Sequence, residues 1–195
     1  MDTYRLTEQA KQALSIAKKE AQLLKNKYAG TEHLLLGLLN IGDSIVIRIL
    51  EDMSVDIDGL RDIVYDNISQ EGETVIDIDE ISFTPRAEKI VEAAYICSQK
   101  MDRERVDVDH MFLGLLYESD GIANSILKNL GVSYNKVRKI LSQELGDNIL
   151  DEVHESDFDL DNSEVLSLKN LQKFGVDITR LAARNKIEPV IFNVI

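Results

Sequence analysis

A segment reading GTEHLLLGLLN at residues 30–40 returns as DVDHMFLGLLY at residues 107–117, 77 positions on. The recurrence reaches well beyond this motif and needs no gap. LTEQAKQAL at 6–14 lies over FTPRAEKIV at 83–91, and Gly37 falls on Gly114. Asp43-Ser-Ile45 falls on Asp120-Gly-Ile122, Ile49-Leu50 on Ile126-Leu127, Val55 on Val132, and Arg61-Asp-Ile63 on Arg138-Lys-Ile140. A period this long, present only twice, points to one small domain duplicated in tandem rather than a stack of short repeats.

Each repeat reads as four helices. In the first, Leu6 and Thr7 supply a staple residue and an N-cap, and Ala10, Ala13, Leu14, Ala17, Ala21 and Leu24 recur at helical spacing. Gly30 breaks the chain, and Thr31 is expected to cap a second helix through Leu39. Asp43 or Ser44 starts a third, and Asp56 a fourth carrying Leu60, Ile63, Val64 and Ile68. The second copy follows the same plan. Thr84-Pro85 opens it, proline suiting the first helical position, and Gly131 marks the end of its third helix.

The expected fold is therefore all-α, two tandem four-helix repeats spanning 1–145, with repeat one at 4–70 and repeat two at 81–145. Residues 146–165 contain eight acids and no Lys or Arg, and read as a solvated, flexible linker. Residues 166–195 are mildly basic at first, with Asp177 placed to cap a short helix over DITRLAARNK.

Composition narrows the partners. A net charge of -13 in 195 residues repels phosphates, so neither nucleic acid nor an anionic membrane is expected. Cys97 is the single cysteine, which excludes an intrachain disulfide and fits a cytoplasmic location. The N-terminal MDTYRLTEQAKQAL lacks the apolar core of a signal peptide.

The residue pairs Glu32-His33 and Asp109-His110 invite a metal or catalytic reading. Neighbouring positions on a helix point about 100° apart and do not converge on one ion, and no HExxH or CxxC accompanies them. No serine lies in a nucleophile elbow, and no Gly-rich phosphate loop occurs. No metal, cofactor or catalysis is expected in these residues. The packing reading accounts for the motif better. Each His can satisfy backbone or polar groups at a helix start. Each mid-helix Gly costs about 0.5–1 kcal/mol relative to Ala, commonly offset by close approach of another helix.

The doubled TEHLLLGLL…VDHMFLGLL pattern, with FTPRAEKIVEAA opening the second copy, resembles the N-terminal repeat domain of Clp ATPases over residues 4–145. It is most similar to the ClpC type, with ClpA and ClpB as relatives. Residues 171–191 resemble the opening of the first AAA+ ATPase module of the same proteins, and the final Phe-Asn-Val-Ile departs from that pattern. The resemblance implies a pseudo-twofold bundle of eight helices. It also implies an ATPase module cut short by truncation or a shifted frame, so that ATP belongs to full-length relatives. It further implies a domain that docks adaptor proteins and client proteins, reaching a ClpP-type peptidase only through a full-length ATPase. A free-standing regulator that sequesters adaptors is the alternative.

ClpC-type domains recognise phosphorylated arginine, once per repeat, at the first helix start and the acid before the motif His. The matching residues are Thr7 and Glu32 in repeat one, and Thr84 and Asp109 in repeat two. A helix N-terminus offers N–H donors to a phosphate, and a carboxylate pairs with a guanidinium. Three departures stand in repeat two: Pro85 removes one N–H, Asp109 is a methylene shorter than Glu, and Asp107-Val108 replaces Gly30-Thr31. Read from the residues alone, the two threonines are helix caps and the two acids complement helix dipoles.

Overall fold

The computed structural model describes residues 5–68 and 77–145. Residues 146–195, with the expected acidic linker and ATPase-like segment, lie outside the described residues. Eight α-helices occur among those described, four from each repeat. Repeat one provides α1 (Glu8–Leu23), α2 (Thr31–Leu39), α3 (Ile45–Asp52) and α4 (Ile57–Asp66). Repeat two provides α5 (Pro85–Lys100), α6 (Val108–Tyr117), α7 (Ile122–Asn129) and α8 (Tyr134–Leu145).

Side-chain chemistry sets which helices lie inside. α2 and α6 are apolar nearly all round, and a helix of that kind must be buried. All of α2 is buried except Glu32, and α6 is buried from Val108 to Leu116. The longer α1 and α5 are amphipathic and lay their alanine-rich faces against α2 and α6, making the two most extensive helix contacts among the described residues. One contiguous core joins both repeats, so neither repeat is a separate globule.

The glycines explain the closeness of those contacts. A Cβ at Gly37 would strike the carbonyl oxygen of Ala13, and one at Gly114 would lie 2.6 Å from that of Ile90. Each glycine sits where the backbone of the flanking helix already fills the space.

Helix starts follow local chemistry, with one correction. Thr7, Ser44 and Thr84 each accept an N–H three residues on: from Ala10 at 3.2 Å, Ile47 at 3.4 Å and Ala87 at 3.2 Å. Thr31 does not cap α2. Gly30 is the N-cap and Thr31 the first helical residue. The His33 ring takes the capping role by accepting the Gly30 N–H at 3.0 Å. That frees the Thr31 hydroxyl, which donates to Glu32 Oε2 at 3.2 Å. Positive backbone φ recurs with the repeat, at Lys25 (59°) and Asp102 (52°), and again at Ser54 (60°) and Gly131 (74°).

A short pairing of extended backbone was not expected from the sequence. β1 (Tyr28–Ala29) runs parallel to β2 (Ser82–Phe83), with Ala29 opposite Phe83. Its pseudo-twofold counterpart is the parallel bridge between Leu6 and Val106. The segment leading into the first helix of each repeat therefore pairs with the segment leading into the second helix of the other. Thr84 donates its N–H to Ala29 O at 3.0 Å, and Thr7 to Val106 O at 2.9 Å.

Candidate functional site

The crossed pairing decides where the candidate residues meet. From sequence, Thr7 was matched with Glu32 and Thr84 with Asp109. The structure brings together Thr84 with Glu32, and Thr7 with Asp109. The expectation of one self-contained site per repeat is corrected on this point: each pocket takes its threonine from one repeat and its carboxylate from the other.

The first pocket has a volume of about 520 Å³. The start of α2 lines it with Gly30, Thr31 and Glu32, and the start of α5 lines it with Thr84, Pro85, Arg86 and Lys89. Two helix N-termini thus border one cavity, each carrying partial positive charge and first-turn N–H groups without intrahelical acceptors. Arg86 is held by Glu118, with Nε 3.4 Å from Oε1, and donates to the Asp120 carbonyl at 3.3 Å. Lys89 has no ion-pair partner among the described residues.

Glu32 presents the carboxylate. Burial works against its charge, but the adjacent His33 ring when it carries a second proton, its own backbone N–H and the Thr31 hydroxyl outweigh that, and its carboxyl titrates below the usual range. Glu32 Oε1 lies 3.1 Å from His33 Nδ1, so the two side chains do approach each other, contrary to the 100° argument. Both lean back toward the N-terminus of α2, as helical side chains do. In the neutral ring Nδ1 accepts the Gly30 N–H while Nε2 faces Asn26 Oδ1 at 3.2 Å. A proton added to the ring would turn Nδ1 from Gly30 to Glu32.

The second pocket, of about 400 Å³, is lined by Thr7, Asp107, Asp109, His110, Arg103 and Arg105 among others. His110 Nδ1 accepts the Asp107 N–H at 3.0 Å, repeating the His33 arrangement. Its Nε2 is buried with no hydrogen-bond partner among the described residues, since Arg103 stands where repeat one has Asn26. Asp109 is buried, which opposes its charge, but the His110 ring and backbone N–H, with Arg103 nearby, hold its carboxyl below the usual range. Asp109 Oδ1 accepts the His110 N–H at 2.7 Å.

Sequence reasoning missed Arg86 and Lys89. A signal existed. Both cations lie near the N-terminus of α5, where the helix dipole disfavours them, and their repeat-one counterparts are the neutral Gln9 and Gln12. Cys97 is buried, and burial with the nearby Asp109 charge pushes its thiol up to about 12, which agrees with a packing role. No helix among the described residues is long and apolar enough to cross a membrane.

Comparison with known proteins bears on the whole arrangement. The family model of the Clp repeat (R) N-terminal domain matches residues 5–130 and 102–167. The ClpA homolog described as an ATP-dependent Clp protease ATP-binding subunit in Cyanidium caldarium is 33% identical over 187 residues, covering 96% of this chain but 21% of its own length. The chain thus spans about a fifth of the curated relatives it matches. The crystal structure of the N-terminal domain of ClpD from Arabidopsis thaliana superposes with a TM-score of 0.60 at 28% identity, over 75% of this chain and 97% of that one. A ClpV N-domain in complex with a VipB peptide shares the fold, with a TM-score of 0.58 at 20% identity, over 77% of this chain and 90% of that one.

Proposed function

The chain belongs to the Clp repeat N-terminal domain family, and on that premise we propose that it is the module on which a ClpC-like ATP-dependent unfoldase docks adaptor and client proteins. The Glu32–Thr84 pocket receives phosphorylated arginine side chains of those clients. The observation that supports this reading is the convergence of two helix N-termini, Arg86, Lys89 and the Glu32 carboxylate on one cavity.

Phospho-arginine has a phosphoryl end that seeks N–H donors and cations, and a guanidinium end that seeks a carboxylate. The α5 start, with the Thr84 hydroxyl, Arg86 and Lys89, suits the first, because helix N-termini and cations both favour anions. Glu32, kept ionised by its hydrogen bonds, suits the second. A bare phosphate would be repelled by Glu32 and an unmodified arginine by Arg86 and Lys89, so the mixed lining favours the ligand that carries both charges. Peptide docking is a property of the ClpV N-domain with its VipB peptide, and a pocket open to solvent on this fold is compatible with the same use here. ATP turnover and delivery to a ClpP-type peptidase belong to the full-length assembly in this reading.

The test is calorimetric titration of the chain with free phospho-arginine, beside Glu32→Ala, Thr84→Ala and Arg86→Ala variants. Removing a charge-assisted hydrogen bond costs about 1.5–3 kcal/mol, so Glu32→Ala is expected to weaken binding by about 10- to 100-fold. Absence of heat at millimolar ligand would rule out the phospho-arginine reading and leave the domain as an adaptor dock.

A further inference from the structure

The two pockets are pseudo-equivalent but not chemically alike: Arg86 and Lys89 of the first answer to Gln9 and Gln12, and a further difference lies at the cap of the second helix of each repeat. Gly30, at the N-cap of α2, is replaced 77 positions on by Asp107, at the N-cap of α6. The Asp107 side chain turns onto the helix start that it precedes. Its Oδ1 accepts the Val108 N–H at 2.8 Å and the Thr7 hydroxyl at 2.7 Å. The second of these bonds joins residues 100 positions apart and spans from the cap of α6 to the cap of α1. A carboxylate oxygen therefore already sits between the two helix starts that border the second pocket.

In the first pocket the Glu32 carboxylate lies over the Gly30 Cα and serves its own N–H and the Thr31 hydroxyl, so it stays on the α2 side and does not bridge to Thr84. The residue facing Thr84 across the pocket is Gly30, which has no side chain, and the Thr84 hydroxyl accepts the Ala87 N–H without donating to any side chain among the described residues. The threonine hydroxyl that would meet an anion in the first pocket is thus, in the second, bound to an anion that the chain carries itself.

We infer that Asp107 is a built-in anion that closes the second pocket to a phosphoryl group, so that the domain holds one phospho-arginine rather than two. This rests on the reading proposed above for the first pocket. The reason is both positional and electrostatic. The Asp107 carboxylate takes the α6 N–H and the Thr7 hydroxyl, and its charge opposes a phosphate brought to the same place. Arg103 and Arg105 at the rim are exposed, and they approach that pocket alongside Glu104, Asp107 and Asp109. Asp107 adopts φ -118° and ψ 179°, an extended conformation open to any residue, so exchanging it introduces no backbone strain.

Calorimetric stoichiometry with free phospho-arginine tests the inference on the full chain as wild type, Asp107→Gly, Glu32→Ala and the Glu32→Ala/Asp107→Gly double variant. One equivalent in the wild type, two in Asp107→Gly and one in the double variant support it. Two equivalents in the wild type, or no added equivalent in Asp107→Gly, overturn it. Should the wild type bind none, the first-pocket reading fails by itself, and Asp107→Gly still decides: one equivalent upholds the role of Asp107 and none overturns it. If Asp107→Gly loses its cooperative thermal transition, Asp107→Ser takes its place. Ser keeps a helix-capping oxygen while removing the charge and the reach to Thr7, and its failure to gain an equivalent counts against the inference in the same way.

Discussion

Replacing Gly37 by alanine sets two effects of similar size against each other. Inside a helix, Ala is favoured over Gly by about 0.5–1 kcal/mol. Against this, a Cβ at residue 37 overlaps the Ala13 carbonyl oxygen and lies 3.1 Å from its carbon and 3.3 Å from Ala17 Cβ. The obstruction is the backbone of α1, which cannot rotate aside as a side chain would. Carbon atoms rest at about 3.5–4.0 Å, so α2 must retreat from α1 by something on the order of 1 Å, carrying with it a helix buried at every position but Glu32. Overpacking of this kind costs about 1–3 kcal/mol. A backbone obstacle places Gly37→Ala near the upper end, for a net loss of about 2 kcal/mol after the helical gain. For a chain of this size that corresponds to a fall in Tm of about 4–8 °C.

Gly114→Ala meets Ile90 O at 2.6 Å and Ala94 N at 3.1 Å, and is expected to cost less, about 1–2 kcal/mol. Gly42→Ala is the internal control, since a Cβ there meets nothing within 4 Å. It should stay within about 0.5 kcal/mol of wild type. Urea unfolding followed by far-UV circular dichroism measures all three, a shift in midpoint at constant m being the reading of stability. If Gly37→Ala proved as stable as wild type, close backbone approach would not be what the motif glycine serves.

Three further outcomes follow from the site. Thr7→Ala and Thr84→Ala each lose an N-cap, about 1 kcal/mol apiece, but Thr7→Ala should be the more destabilising in urea because it also strips the bond to Asp107, whereas Thr84→Ala should mainly weaken phospho-arginine binding. Glu32 and Asp109 have depressed folded-state values, so each contributes stability that is complete above its ordinary value, 4.5 and 3.8 respectively, and is lost as pH falls through the lower folded value. Urea midpoints should therefore drop on acidification below these values, and Glu32→Gln should flatten part of that drop. Cys97, buried with a thiol pushed up to about 12, should resist a thiol reagent at neutral pH and react only in step with unfolding. Labelling faster than global opening would show that α5 moves locally.

The repeat was readable from the recurrence at 77 residues, the helices from short-range periodicity, and the packing purpose of the motif glycines from their place inside those helices. An apolar stretch such as HLLLGLL has no polar face to show solvent, wherever it lies. The role of His33 was readable in kind, as a polar group satisfied at a helix start. Its partner was not, and Thr31 was credited with a cap that the ring at position 33 provides to Gly30. The four candidate residues came from the family resemblance, and their grouping was assigned within each repeat. The tertiary structure alone decided that grouping. It depends on which extended segments pair before the helices begin, and those pairings join Leu6 to Val106 and Ala29 to Phe83 across the two repeats. Helical periodicity repeats identically whether the two copies pair within themselves or with each other. The choice is made by closure of a common core and by backbone hydrogen bonds between residues far apart in the chain, which no local pattern records.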